Sequence, residues 1–398
     1  MLPKLLEVEN LKMNFYTYEG IVQALDKINL NVREGEILGL VGETGCGKSV
    51  TALSIIRLIR PPGRIEKGKV IFRLKDRPAK PKQGINLLDQ NEAFMQKVRG
   101  NEISMIFQEP STALNPVYSI GNQISESFLV HRQKELCQSA LERIEEDIKK
   151  GAFIFNRAIL KMERRIYLKM IENPSSFFLT LLSFIPGVRR YNRRLLEEAK
   201  RKSIEILRIL GMPHPEEVVM RYPHELSGGM QQRVVIAMAL ACNPTLLIAD
   251  EPTSNLDVTI QAQILDLVRK LKQELGSSIL FITHDLGVVA EMCERAVVMY
   301  AGQIAEVAAV HSLFQKPLHP YTQGLLKSVP QPGQKDRLQS IKGSVPNLIS
   351  PPSGCRFHPR CLYVMPRCSG AKPSLKEIEK GHFVACYLYQ EEADKDDT

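Results

Sequence analysis

The octet Gly42-Glu43-Thr44-Gly45-Cys46-Gly47-Lys48-Ser49 constrains this chain more than any other stretch. It spells G-x-x-x-x-G-K-[ST], the pattern of a loop that wraps nucleotide phosphates. Glycines let backbone N–H groups turn inward on phosphate oxygens, and the positive end of the following helix adds to that field. Lys48 reaches the β and γ phosphates, and Ser49 offers a hydroxyl to Mg²⁺. The flanks fit the same reading. Ile37 to Val41 is an apolar run suited to a buried strand entering the loop, and Val50, Leu53, Ile56 and Ile59 lie at helical spacing leaving it. The pattern points to ATP or GTP on an α/β fold.

At 398 residues with 44% hydrophobic content, the chain has room for two or more domains with real cores. The N-terminal Met1-Leu2-Pro3-Lys4-Leu5-Leu6-Glu7 has no apolar core of signal-peptide length. No apolar run reaches the ~18 residues of a spanning helix. The expectation is a protein made and kept in the cytosol, where its eight cysteines serve as thiols or metal ligands rather than disulfides. The net charge of +9 is concentrated: residues 132–202 hold 17 Lys plus Arg against 9 Asp plus Glu, a local net of +8. The near-neutral remainder argues against a broad nucleic-acid footprint.

A second group of motifs selects the kind of phosphate-loop protein. Leu246-Leu247-Ile248-Ala249-Asp250 is an apolar strand ending in a carboxylate, which places an Asp for Mg²⁺ beside the loop. Glu251 follows directly, positioned to orient a water against the γ-phosphate. Upstream, Leu226-Ser227-Gly228-Gly229-Met230-Gln231-Gln232-Arg233 opens a helix, with Ser227 as its cap and paired glycines that admit an anion to the backbone.

With these residues the chain resembles the ATP-binding subunit of an ABC transporter. Leu226-Ser227-Gly228-Gly229 matches that family's signature sequence, Asp250-Glu251-Pro252-Thr253 its metal and water pair, and Ser254-Asn255-Leu256-Asp257 its D-loop. Gln108 matches the Q-loop glutamine and Thr283-His284-Asp285 the switch histidine. The resemblance implies an ABC-type P-loop NTPase with a RecA-like core, an antiparallel β subdomain and a helical subdomain, followed by a small cysteine-rich C-terminal region. It also implies two subunits meeting head to tail, each ATP lying between one phosphate loop and the partner's signature helix. Lys48 and the donors from Gly45 to Ser49 would then hold phosphates, within a loop running from Gly42 through Glu43, Thr44 and Cys46 to Val50. Ser49, Gln108 and Asp250 would surround Mg²⁺. Glu251 would polarise the water, His284 would touch the γ-phosphate, and Ser227, Gly228 and Gly229 would complete the partner's site. Phe15, Tyr16 and Tyr18 compete to stack on adenine, with Phe15 preferred. Cys46 replaces the serine common in the family; it contributes mainly a backbone N–H, and its thiol is expected to be sensitive to oxidation.

The C-terminal part narrows the resemblance. Pro317-Leu318-His319-Pro320-Tyr321-Thr322, with Leu325-Leu326 and Val329-Pro330, resembles the extension of oligopeptide and dipeptide importer ATPases, which also occurs in relatives for nickel and oligosaccharides. Beyond it Cys355, Cys361, Cys368 and Cys386 are spaced C-x5-C-x6-C-x17-C in a segment too short to hold itself together unaided. Four thiolates suit a tetrahedral zinc or a 4Fe-4S cluster; paired zinc knuckles are absent, and the resemblance favours the cluster over zinc and over free buried thiols. Cys137, Cys242 and Cys293 read as buried thiols.

The 119 positions from Gln108 to Ser227 exceed what such a helical subdomain needs, so residues of about 135–200 read as an insertion. Ile144, Ile148, Ile159, Ile166 and Met170 suggest helices broken near Gly151 and ended near Asn173-Pro174. The run Phe177 to Pro186, flanked by Arg164, Arg165, Arg189, Arg190, Arg193 and Arg194, has two readings. It lies against anionic lipid or a membrane subunit, or it forms a hairpin burying its own apolar side under a solvated basic face.

The resulting organisation is an ATPase domain over 1–310, with its helical subdomain at about 109–244, and an extension over 311–398. The expected protein energises peptide import from the cytoplasmic face of a membrane. Its partners would be two membrane permease subunits, a second homologous ATPase subunit and, through the complex, an extracytoplasmic solute-binding protein. Two rivals are a soluble ABC ATPase acting on nucleic acid, which tandem units or heptads would favour and which are absent here, and a regulatory iron-sulfur protein in which ATP drives only association.

Overall fold

A computed structural model describes residues 2–74, 84–149, 154–172, 190–254, 256–328 and 341–390. The strands are β1 Lys4–Thr17, β2 Gly20–Arg33, β3 Ile37–Val41, β4 Gly63–Phe72, β5 Ile85–Asn86, β6 Ile103–Ile106, β7 Leu246–Asp250, β8 Ser278–Thr283, β9 Arg295–Tyr300, β10 Gln303–Ala309, β11 Lys376–Glu379 and β12 His382–Val384. They are distributed over two compact units. The first comprises residues 1–99, 245–254 and 265–398, the second residues 100–244 and 255–264.

In the first unit, β2-β1-β4-β5 form an antiparallel sheet. A second sheet there runs β11-β12-β10-β9-β3-β8-β7. Its centre is parallel, with β3 between β8 and β9 and β7 beside β8. Every residue of β3, β7, β8 and β9 is buried. Strands covered on both faces need continuous apolar sequence rather than alternation, which is why Ile37-Leu38-Gly39-Leu40-Val41 and Leu246-Leu247-Ile248-Ala249 read as unbroken runs. Loops at the C-terminal ends of parallel strands are where such sheets place their sites. Both the octet, after β3, and Glu251, after β7, stand there.

The helix after the octet is shorter than its spacing suggested. It spans Lys48–Ile55, with Ile56 as its cap. Arg57 then turns left-handed at φ 54°, and its guanidinium donates to the carbonyls of Leu87 and Gln90. Ile59 therefore lies beyond the helix.

The segment after residue 340 departs from expectation. All eight cysteines are free thiols, and among the described residues no group of three or more His, Cys, Asp or Glu side chains could hold a metal ion. The segment instead joins the second sheet, β12 pairing with β10 and β11 with β12. Val384 is wholly buried in a cluster with Leu318 and Cys386, and burying one such valine stabilises by ~1.5–3 kcal/mol. Glu306 of β10, itself buried, accepts hydrogen bonds from the backbone N–H groups of Leu318 and His319, both at 2.8 Å, and lies 2.7 Å from His382 Nε2. One carboxylate thus ties three segments together.

The second unit is mainly helical. It contains β6 and helices Ile120–His131, Gln133–Lys149, Ile154–Glu172, Arg190–Ile209 and Gly228–Leu240. Leu136, Cys137, Ala140 and Ile144 are buried from the second of these, and Ile166, Tyr167 and Met170 from the third. Several basic side chains of residues 132–202 pair with acids among the described residues. Arg143 and Arg201 meet the buried Glu198 at 2.9 and 3.0 Å, Arg194 meets the buried Glu163 at 3.0 Å, and Arg164 meets Glu145 at 3.3 Å. Buried acids of this kind hold these basic side chains on the protein. The apolar run Phe177 to Pro186, with Arg189, lies outside the described residues, as does the expected break at Gly151.

Candidate functional site

The octet turns sharply because two of its glycines accept backbone angles that a side chain would block. At Gly42 (φ 155°) a Cβ would come within 2.2 Å of the Met299 carbonyl oxygen, and at Gly47 (φ 105°) within 2.9 Å of Leu25 and 3.0 Å of the Ala24 carbonyl oxygen. Thr44 and Gly45 are exposed at the crest, while Glu43, Ser49 and Val50 are half-buried. Lys48 is buried, its ammonium donating to the carbonyls of Gly42 at 2.7 Å and Glu43 at 3.2 Å. Cys46 is fully buried, and burial raises its thiol pKa above the ordinary value, outweighing the attraction of the Lys48 ammonium. The oxidation-sensitive thiol expected here is corrected to a shielded, protonated one.

At the end of β7, Asp250 is buried, and burial lifts its pKa to about 6 against the hydrogen bond from Ser49. Its Oδ1 has no hydrogen-bond partner. A buried carboxylate oxygen lacking a donor, with the Ser49 hydroxyl on the same group, is the hard-oxygen environment that suits Mg²⁺. Glu251 follows in a left-handed conformation, φ 46°, which is uncommon outside glycine and concentrates at functional turns. Ser254 donates to its Oε2 at 2.8 Å, and His284 Nδ1 lies 3.1 Å from its Oε1. Burial alone would raise the Glu251 pKa; the bonds to His284 and Ser254 more than offset that and hold the carboxyl below its usual value. His284 closes β8 with much of its ring in solvent, and Asp285 caps the next helix, Leu286–Met292. The first unit therefore brings together Ser49 and Asp250, and Glu251 and His284.

Phe15 lies in β1, half-buried, opposite Val22 and Gly63. Tyr16 donates its hydroxyl to Glu66 at 2.8 Å, and Tyr18 is 98% exposed.

The remaining expected residues are in the second unit. Gln108 is exposed in the turn between β6 and the short helix Pro110–Ala113. Ser227 stands at the cap of Gly228–Leu240, yet its side chain makes no capping bond; its carbonyl accepts from Gln231 N–H at 2.9 Å. Its hydroxyl is thus not used to close the helix, contrary to the sequence expectation. A Cβ at Gly228 would meet nothing within 4 Å, whereas at Gly229 it would approach Ile260 at 3.0 Å. Asp257 accepts from Ile260 N–H at 2.9 Å at the start of helix Val258–Leu275, and Asn255 lies outside the described residues.

Cys355, Cys361, Cys368 and Cys386 converge. Cys355 N–H donates to the Cys368 carbonyl at 2.8 Å. Burial pushes Cys355 and Cys386 up to about 11, and the other three thiols oppose ionisation of Cys386. Donor chemistry suits a cluster, but the sulfurs are not set as ligands, so the arrangement gives the expected 4Fe-4S site no support. Cys137, Cys242 and Cys293 are buried thiols.

Sequence reasoning missed two contacts to the octet. The Tyr321 hydroxyl accepts from Glu43 N–H at 2.9 Å, and Arg360 forks onto the Glu43 carboxylate at 2.8 and 3.1 Å. Tyr321 was visible only as part of a motif and Arg360 only as one arginine in a Pro- and Arg-rich stretch.

Comparison with known proteins completes the description. The family described as ABC transporter matches residues 25–254, and the oligopeptide/dipeptide transporter C-terminal region matches residues 305–368. A probable peptide ABC transporter ATP-binding protein of Sinorhizobium fredii is 43% identical over 97% of this chain and 96% of its own length. The oligopeptide transport ATP-binding protein AppD of Bacillus subtilis is 42% identical over 98% of each. Among solved structures, a dimeric ATP-binding cassette in a post-hydrolysis state bound to ADP and Pi matches with a TM-score of 0.52 at 23% identity, covering 77% of this chain and 99% of that one; at that identity the likeness concerns the fold.

Proposed function

Because the chain belongs to the ABC transporter family and carries the C-terminal region of its oligopeptide and dipeptide transporters, we infer that it is the ATP-hydrolysing subunit of a peptide importer. Relatives matched over their full length carry peptide-transport names, and this supports peptides as cargo over nickel or oligosaccharides. The ligand held by the importer's solute-binding protein, identified by mass spectrometry, tests the cargo.

The observation that carries the ATPase reading is the chain Ser254–Glu251–His284 beside Asp250 and Ser49. Lys48 and the N–H groups from Gly45 to Ser49 bind phosphate oxygens. Ser49 and Asp250 would hold Mg²⁺, which screens the β- and γ-phosphate charge when bound; Gln108 joins them on the strength of the resemblance alone. Glu251, fixed by two hydrogen bonds and held ionised, orients a water and accepts its proton as the water attacks the γ-phosphorus. His284 presents its exposed ring to the γ-phosphate. Ser227, Gly228 and Gly229 complete the site of a partner ATPase, and Phe15 remains the proposed adenine contact. General-base contributions are typically ~10²–10⁴-fold, so Glu251→Gln is expected to lower phosphate release by ~10²-fold or more while ATP still binds. Near-normal turnover in that variant would overturn the assignment.

Among the described residues no helix is long and apolar enough to cross a membrane. As the ATPase subunit of a peptide importer the chain would work with membrane permease subunits, and we place it on their cytoplasmic side with a homologous ATPase partner and an extracytoplasmic binding protein. Contact between anionic lipid and residues of about 135–200 is tested by vesicle flotation; equal flotation of a variant lacking them removes it. The 4Fe-4S reading rests on the resemblance and on the spacing of Cys355, Cys361, Cys368 and Cys386 in the sequence alone. Iron and acid-labile sulfide in near-fourfold stoichiometry after anaerobic purification would support it, and zinc or no metal would end it.

A further inference from the structure

Glu43 is the second residue of the phosphate loop, and the C-terminal part of the chain holds it at both backbone and side chain. Its N–H donates to the Tyr321 hydroxyl at 2.9 Å. Its carboxylate receives both arms of Arg360, Nη1 to Oε2 at 2.8 Å and Nη2 to Oε1 at 3.1 Å. The paired fork is the strongest and most directional form of such a contact.

Neither partner is a mobile surface group. The Arg360 side chain is 7% exposed and Tyr321 is fully buried. The guanidinium also donates to the carbonyls of Lys342 at 2.9 Å and Gly343 at 3.1 Å and to the Tyr300 hydroxyl at 3.2 Å. The Tyr321 ring packs on Tyr300 and Phe357, with centroids 4.6 and 5.4 Å apart. Two groups fixed from behind in this way give the loop residue a rigid support.

The charge has a consequence for binding. An unpaired carboxylate at position 43 would face the same loop that must accept the negative phosphates, and Arg360 neutralises it. We propose that Arg360 and Tyr321 are positioning residues for the phosphate loop, through which the C-terminal region sets the affinity for ATP. The proposal rests on the reading of this loop as the ATP site. Neither residue touches the reacting atoms, so the effect should fall on binding rather than on the chemical step.

The test uses the full chain in its importer complex, with ATP turnover and equilibrium binding of a fluorescent ATP analogue. Arg360→Ala should raise KM and the dissociation constant about tenfold, the scale of a lost charge-assisted hydrogen bond, with a much smaller change in kcat. Arg360→Lys should recover only part, because an ammonium cannot fork. Tyr321→Phe should raise KM about threefold, in line with loss of one neutral hydrogen bond. The decisive variant is Glu43→Gln combined with Arg360→Ala: removing the stranded carboxylate should bring KM back toward wild type. Unchanged KM in Arg360→Ala, or a double variant no better than the single one, overturns the proposal, as does a fall in kcat that tracks the loss of thermal stability. If the wild type binds the analogue without hydrolysing ATP, the ATPase reading fails and the binding arm still decides this one.

Discussion

Position 46 puts a thiol inside the phosphate loop, and burial decides how it behaves. Cys46 is fully enclosed, a Cβ on Gly42 would lie 2.8 Å from its sulfur, and its pKa is raised. Reactivity follows the exposed thiolate, so this cysteine should resist alkylation. Peptide mapping after iodoacetamide at pH 8 is expected to find it unmodified in the native protein and fully modified in concentrated urea; equal labelling in both would mean the loop opens readily. Glu251 is the contrasting case at the same scale. It is only partly buried, and two hydrogen bonds win over desolvation to keep it charged, whereas Asp250, deeper and with less compensation, rises to about 6. Adjacent carboxylates are thereby pushed in opposite directions, the arrangement expected where neighbouring acids have separate tasks.

At the scale of elements, the end of the chain is secured by strand addition and by a buried polar junction at His319. Its Nδ1 accepts from Tyr321 N–H at 3.0 Å, and the ring also bonds the backbone of Ala385. That pattern holds the neutral imidazole, because a proton on Nδ1 would point at another donor. Burial lowers its pKa to about 4, although Glu306 favours the charged form. The sign follows from linkage. Between pH 6.5 and about 4 the unfolded chain binds a proton at this histidine and the folded chain does not, so stability falls as pH falls across that window, by ~1.4 kcal/mol per unit at most. Below about 4 both forms are protonated and the decline from this group stops. Chemical denaturation of wild type and His319→Gln from pH 7.5 to 4 is expected to show a steeper decline in the wild type; parallel curves would refute it. This junction also marks a boundary of legibility. β3 and β7 coincide with their apolar runs because burial on both faces leaves a local imprint on sequence. The edge strand β11 and its neighbour β12 are only four and three residues long, and β11 is exposed throughout, so they imprint nothing. The contact of Arg360 with Glu43 spans 317 residues, and no local pattern encodes a pairing that distant.

For the whole molecule, the question is what the second unit contributes to catalysis. Its signature residues were legible as a motif but not as geometry: Ser227 leaves its hydroxyl out of the cap, and Gly228 faces open space. A helix start that does not spend its donors and glycine on its own closure is suited to an anion from outside, which in the proposed head-to-tail pair is the partner's ATP. Gly228→Asp separates that role from folding. Nothing lies within 4 Å of the new Cβ, and an acid in the first turn favours the helix dipole, so thermal stability should hold within ~2 °C. The same carboxylate would stand against an incoming phosphate. In a Glu251→Gln background, where hydrolysis no longer reopens the pair, ATP should drive association of the chain with its ATPase partner, followed by light scattering. Adding Gly228→Asp should abolish that association without unfolding the protein. Persistence of the ATP-dependent dimer would remove the signature helix from the partner's site and leave each phosphate loop to work alone.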